Sequence, residues 1–429
     1  MKLPADHPQR VELNDEVHAR PPEPLVAPCR LSYLALLSDA AQREAGWLAV
    51  CDLCRRYGVA PPAGRPLHFS AELGPFRLKW ERHTEFIRFM FIVEGTTGDP
   101  FERPAISVLP EDWVAGLPGE IMVAAHAALI KADPGTVDPQ AIGNRWFAGN
   151  MPAGAAVSGG AATALTDFRI HADGFSRHLL LDHDTTPWQA GRVAQRLLEI
   201  DTYRVMALLA LPVARAVGPL LATSEQELSQ ITASLVSASE TDEPALLDRL
   251  TRLEAEIENQ QSKTRYRFGA ADAYYELMRH RIDELREQRI QGLQTFREFT
   301  ERRLAPAINT CRSIAVRQES LSQRVARATR LLSTRVDLTR EQQNQALLAS
   351  MNSRARMQLR LQTTVEGLSV AAVTYYVSAL VGHAAEALRT AGLHVEPDLA
   401  TGISIPVVAL IAWFGIHHIR KTVTRPGNE

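Results

Sequence analysis

Acids, histidines and cations gather in two short polar stretches of this chain. The first is Asn14-Asp15-Glu16-Val17-His18-Ala19-Arg20-Pro21-Pro22, where Asp15, Glu16, His18 and Arg20 crowd ahead of two prolines. Carboxylates beside a histidine can hold a hard cation or exchange a proton. The prolines keep the backbone extended there, and the plainer reading is a solvated lead-in segment capped by its own acids. The second stretch, Leu78 to Phe86, carries Lys79, Trp80, Glu81, Arg82, His83 and Glu85. Charged and apolar residues roughly alternate, so a strand would set Lys79, Glu81, His83 and Glu85 on one side. That arrangement makes either a cross-strand charge ladder or a ligand surface, and the ladder is the commoner outcome. An enzyme would use Glu81 with His83, or Asp15 with His18.

Three further groups read as structural. Asp182-His183-Asp184 resembles a ligand set, yet neighbours on a strand alternate sides, so a loop capping the next helix is expected. Cys51 and Cys54 form a C-x-x-C with no second pair, and read as core of a helix over 41–57, with Trp47, Leu48, Cys51 and Cys54 on one face. The glycine-rich 143–150 and 154–164 match neither the Walker pattern nor the dinucleotide fingerprint, and read as turns joining strands. No metal-ligand set is complete, and no cofactor can be named.

The elements that must position these residues fall into an α+β arrangement: an amino-terminal mixed α/β domain (1–236), a long-helix coiled-coil stalk (237–366), a two-helix transmembrane hairpin (367–419) and a basic tail (420–429). Strands are predicted over 67–72 and 76–95, with Gly74-Pro75 as the turn between them. A helix opened by Pro118 is predicted over 120–129. A hairpin is predicted from Thr166 to Leu181 around Asp173-Gly174. From Thr186 the pattern is helical. The apolar 205–222 is interrupted by Pro212, Arg215 and Pro219, which favours a buried helix pair over a membrane span.

Past a Ser/Thr/Glu-rich linker near 237–244, Leu246, Leu250, Leu253 and Ile257 recur at coiled-coil spacing, and Tyr275, Met278, Ile282 and Leu285 repeat it in a helix over 271–303. Pro306 opens a third run with no internal proline or glycine until Gly367, a helix of roughly 90 Å at about 1.5 Å per residue. Such a helix must pack on neighbours or on copies of itself. Its end is amide-rich, which reads first as a solvated helix face; the alternative is a polar seam around the axis of an oligomer, which Gln358 would face.

Two uncharged apolar runs close the chain, Gly367–Ala385 and Thr401–Ile419, each just long enough to span a bilayer. Arg354, Arg356 and Arg360 precede the first; Arg420, Lys421 and Arg425 follow the second; the loop between is net negative. The positive-inside rule then places both termini in the cytoplasm. No Asp, Glu, Lys or Arg lies inside either span, and His383, His417 and His418 lie near the interfaces, so a proton relay is unsupported. A net charge of −2 on 429 residues gives no basic surplus for nucleic acid. Four cysteines fit a reducing compartment, and no apolar signal-peptide core lies between Met1 and Pro22.

The stretches Asn14 to Pro21 and Leu78 to Phe86 resemble the signature segments of the domain of unknown function 3422 family, over nearly the whole chain. That resemblance implies a membrane-anchored bacterial protein and brings no catalytic residues. The order of an α/β domain, a very long helix, two spans and a basic tail is also similar to the CorA magnesium-channel family. The Gly-Met-Asn motif of that family is absent, its place reading Tyr375-Tyr376-Val377-Ser378. The expectation is therefore a self-associating inner-membrane protein that presents its domain to a cytoplasmic partner. The alternative is a CorA-like homo-oligomeric ion channel or transporter lined by Gln358 and Ser378.

Overall fold

The computed structural model describes residues 5–11, 13–14, 21–61, 64–95, 98–135, 137–391, 394 and 396–423, the side chains of 416 and 419–423 excepted. It is an α+β protein in two compact units: 1–237 with 245–329, and 238–244 with 330–429.

The first unit is built on eight strands: β1 (Cys29–Leu37), β2 (His68–Glu72), β3 (Arg77–Arg82), β4 (Phe86–Glu94), β5 (Glu120–Lys131), β6 (Ala153–Val157), β7 (Ala162–Thr166) and β8 (Ser176–Asp182). They form one sheet in the order β2-β3-β4-β1-β5-β8-β7-β6, antiparallel throughout except for the parallel pair β5–β8. Helices cover both faces. On one side lie α1 (Ala40–Arg56) and the short α2 (Glu111–Ala115), which bury Trp47, Val50, Leu53 and Trp113 against Leu78, Trp80, Phe89 and Phe91. Beside them α3 (Pro139–Trp146) packs Ile142 and Trp146 on Leu165 and Leu179. On the other side α4 (Pro187–Leu208) lies against the sheet, with Leu197, Leu198 and Tyr203 in one core with Tyr33, Phe86 and Met90. Every residue from Leu197 to Tyr203 is buried, so α4 is enclosed on all sides over that stretch. Thr186 caps it reciprocally with Gln189, and Pro187 occupies the first turn.

Burial on both faces explains where local patterns mislead. Glu120 to Leu129 is strand β5, not a helix: alanine favours helix, but an Ala-rich central strand lets α4 approach the sheet closely. The long run 76–95 is two strands that turn at His83-Thr84-Glu85. The paired strands of the 166–181 hairpin are β7 and β8, with Thr166 opposite His178; the connection runs from Asp167 to Phe175, and Gly174 there takes the positive φ. Residues 143–146 end helix α3, and 154–164 is the β6–β7 hairpin. Leu48 is exposed, so the buried face of α1 runs through Trp47, Val50 and Cys54.

The remaining helices of this unit are α5 (Ala210–Ser237), α6 (Glu243–Leu285, which opens in the second unit), α7 (Phe296–Arg303) and the first part of α8 (Ala305–Thr390). Buried positions on α5 run Ala210, Ala214, Val217, Leu221, Ser224, Leu228 and Ile231, a strict four-three repeat that passes through Pro219 without a break. The eight residues read as coiled-coil positions on α6 are all buried. The helix placed over 271–303 instead breaks after Leu285, where Arg286 takes a positive φ, and resumes at Phe296.

In the second unit α8 continues without interruption through the first apolar run, and α9 (Pro397–Val423) holds the second, with Pro406 inside it. The two helices meet where a Cβ on Gly382 would lie 2.8 Å from Thr401 Oγ1. Arg335 of α8 pairs with the buried Glu243. Among the described residues, three helical stretches are long and apolar enough to cross a membrane: 187–237, 305–390 and 397–415.

Candidate functional site

The polar residues of β3 face α4, not water. In β3, Leu78 and Trp80 point into the α1 layer, which leaves Lys79 and Glu81 facing α4. Glu81 is fully buried and lies directly opposite Arg88 of β4 in the strand register. Its carboxylate pairs with Arg88, with Lys79 Nζ at 3.1 Å and with His83 Nε2 at 3.4 Å. Arg88 also reaches Glu199 of α4 at 3.1 Å. Glu199 Oε1 accepts from Gln195 Nε2 at 2.9 Å, and its other oxygen accepts from Arg281 of α6. Arg281 in turn donates to Glu284 at 2.9 Å, and Arg196 of α4 donates to the same carboxylate at 3.2 Å. One chain of alternating charges thus runs from the sheet through α4 to α6. At the strand turn, Glu85 pairs with Arg267 of α6.

The electrostatics follow from who faces whom. Burial alone would raise the Glu81 carboxyl, but Arg88, His83 and Lys79 outweigh it and hold the group well below the usual carboxylate range. Glu199 is depressed in the same way, burial being overcome by Arg88, Arg281 and Gln195. Lys79 goes the other way: burial lowers it, and Glu81 only partly offsets that while Arg88 adds to the lowering. The asymmetry within this pair is physical, since Glu81 faces Arg88, Lys79 and the His83 ring, whereas Lys79 is repelled by Arg88.

Lys79 also ties down the amino-terminal segment. Its ammonium donates to the Pro21 carbonyl and to Gln195 Oε1 at 3.1 Å. Arg77 donates to the Pro24 carbonyl at 3.0 Å, Leu25 N–H to the Pro187 carbonyl at 3.0 Å, and the Glu23 carbonyl sits where a Cβ on Gly191 would be, 1.8 Å away. The two polar stretches of the sequence therefore meet in space at Pro21 and Lys79. Asp15, Glu16, His18 and Arg20 themselves lie outside the described residues. Of the remaining candidates, Trp80 points away from the network and packs on Trp47, with centroids 5.2 Å apart. Arg82 is half-buried past the network, and His83 stacks on Phe86 at 4.3 Å. Gln358 is exposed on α8, and Ser378 is buried beside the α8–α9 contact.

The space between Tyr33, Lys79, Glu81, Arg88, Gln195 and Leu198 is a cavity of about 10 Å³. That is room for about one water. The network is therefore a closed clamp. Among the described residues no cluster of three or more His, Cys, Asp or Glu could hold a metal ion.

A second polar centre lies further along the same face. Asp201 of α4 accepts from Ser176 Oγ at 2.9 Å, pairs with Arg204 and lies 3.5 Å from His178 Nε2. Burial would raise this carboxyl, and Arg204 with His178 overcomes it and holds it low. On the opposite face of the sheet, His126 shares its Nδ1 with Ser32 Oγ at 2.9 Å, stacks on Phe175 at 3.9 Å and is 4.0 Å from Asp173. Burial pushes its imidazole down to about 4, against the pull of Asp173. Asp182, His183 and Asp184 do not cap the next helix, which Thr186 does: Asp182 is the buried last residue of β8, paired with Lys131 and accepting from Thr185 at 2.9 Å, and His183 bridges Thr163 and the Ala132 carbonyl.

Arg88, Gln195, Glu199, Asp201 and Arg281 escape the sequence patterns. A signal exists for some of them. Arg88 is the lone charge in Phe86 to Val93, and Glu199 and Asp201 interrupt the apolar Leu197 to Ile200 of a buried helix.

No curated protein matches this chain, and the likeness to magnesium channels gains no support. The model of the family described as "Protein of unknown function (DUF3422)" matches residues 5–423, which covers both units, and the chain belongs to that family.

Proposed function

We propose that this chain is a membrane-anchored, self-associating protein of the bacterial inner membrane, which spans twice with both termini in the cytoplasm. It presents an ion-clamped sheet domain (1–236) to a cytoplasmic partner, on a long-helix stalk (237–366) that leads into a hairpin (367–419) and a basic tail (420–429). The observation that carries the reading is the state of the two apolar runs. Leu368, Tyr375, Leu380, Ile403, Ile411 and Phe414 are all more than 60% exposed, on helices that carry no Asp, Glu, Lys or Arg in these runs. A contiguous apolar surface of that extent belongs in lipid or against protein.

Close contact at Gly382 and Thr401, with Ser378 and Ala385 buried beside it, matches the way small residues pair helices in a membrane. The arginines at 354, 356 and 360 set the direction. The test is fractionation and topology in a bacterial host. The full chain should stay with membranes through a carbonate wash. A Thr390→Cys variant should react with an impermeant maleimide added outside spheroplasts, and an Arg354→Cys variant should not. Recovery in the soluble fraction, or the reverse labelling pattern, refutes the reading.

A further inference from the structure

The stretch 341–365 of α8 is exposed at every one of its 25 residues among the described part of the chain. A lone helix of this length in water needs strong internal support, such as acid–base pairs four residues apart. This stretch has one acid, Glu341, and its arginines at 354, 356 and 360 find no acid partner there. It needs cover. One stripe of apolar residues runs along it and on into the first apolar run: Leu347, Met351, Leu361, Val365, Leu368 and Tyr375, all between 57 and 74% exposed, at the four-three spacing of a coiled-coil seam whose intervening positions are Arg354, Gln358 and Ala372, with Leu348, Met357 and Leu359 off the stripe. A groove on the helix surface takes in Arg354, Gln358, Leu361 and Val365 of this stripe, with Met357 and Glu366 beside them.

We infer that the occupant of this stripe is the same stripe of a second copy, in parallel and in register. The parallel direction rests on the membrane reading above: two copies that enter one bilayer through the same span must approach it with their helices pointing the same way. The seam from Leu347 to Ala379 is about 50 Å long and about 10 Å wide, so a pair hides on the order of 1,000 Å², the threshold for a specific interface. Leu348 and Met357 flank the stripe and widen it.

Register comes from the bilayer: both copies enter it at the same residue, so each seam position meets its own counterpart. Arg354 then faces the partner helix's Arg354, and each guanidinium turns from that like charge toward the amide oxygen of the partner helix's Gln358, one turn on, which can accept from it. The remaining two arginines, Arg356 and Arg360, fall on the outer face and do not meet across the seam.

The experiment uses the full chain in lipid nanodiscs with mild oxidation, comparing Leu361→Cys on the seam with Arg356→Cys on the outer face and the unsubstituted chain as baseline. Both positions are exposed, so neither change disturbs the fold. A covalent dimer that forms several-fold more with Leu361→Cys than with Arg356→Cys supports the inference. Equal cross-linking, or more with Arg356→Cys, overturns it. Native mass measurement of the same samples separates the two levels: an oligomer without the Leu361→Cys cross-link removes this face and leaves self-association standing, whereas a monomer removes both. A monomer whose Leu361→Cys thiol is shielded only when anionic lipid is present marks the bilayer surface as the occupant, and likewise overturns the inference.

Discussion

Removing the Glu81 carboxylate is the sharpest perturbation of the buried clamp. In Glu81→Ala, Arg88 keeps Glu199 at 3.1 Å, but Lys79 loses the carboxylate at 3.1 Å and keeps only two neutral acceptors, Gln195 and the Pro21 carbonyl. A buried cation left without its anion costs about 3–5 kcal/mol, against about 0–1 kcal/mol for an exposed pair. The expected loss is therefore about 3–5 kcal/mol, read by urea unfolding of the full chain in detergent and followed by tryptophan fluorescence, since Trp80 is the neighbouring residue in the strand. Adding Lys79→Met removes the stranded charge and is expected to recover a good part of the loss. The acid limb carries the same information. Glu81 is depressed below its ordinary 4.5, so the stability it contributes is full above about pH 4.5 and drains as pH falls toward its folded value. Glu81→Ala should flatten that limb. A cost below about 1 kcal/mol, or a Lys79→Met change that adds to the loss, refutes the buried clamp.

Two further outcomes follow from other residues. His126 titrates near 4 when folded against 6.5 when free, so its stability is full above about pH 6.5 and is lost as pH falls toward 4; the gap is worth about 3 kcal/mol, and His126→Gln should remove that part of the pH dependence in thermal melts. Gly191→Ala puts a methyl group 1.8 Å from the Glu23 carbonyl, and the backbone there must move; a loss of about 1–3 kcal/mol and faster protease cleavage near Pro21 to Leu25 are expected, with unchanged cleavage contradicting the docking of that segment.

The helical half of the fold was legible because its signals are local. Coiled-coil spacing at Leu246 to Ile257, the proline at 306 and the absence of breakers before Gly367 are each written within a few turns. The sheet was harder, because its strands are buried on both faces and lose the alternation that marks a half-exposed strand. An Ala-rich strand such as β5 then carries a helix-like composition. For the candidate site, the ladder reading of Lys79, Glu81 and His83 was available from spacing alone. Its partners were not, since Glu199 lies 118 residues beyond Glu81 and Arg281 a further 82. Only the packing of α4 against the sheet brings them together. His83 and Glu85 depart from strict alternation because the strand ends at Arg82.

The clamp also bears on the order in which this chain folds. Glu81 and Arg88 can pair within the β3–β4 hairpin soon after residue 94 is made. Arg88 gains its second carboxylate only when α4 emerges, and Glu199 gains Arg281 only when α6 is nearly complete. Until then the sheet lacks the helices that cover its charged face, and Lys79 has no Gln195 to share with Pro21. The segment 21–25, synthesised first, is therefore among the last pieces to find its place, because Gly191 and Pro187 form half of its seat. Such long-range closure predicts slow, late docking of the amino-terminal segment on a sheet that is already paired.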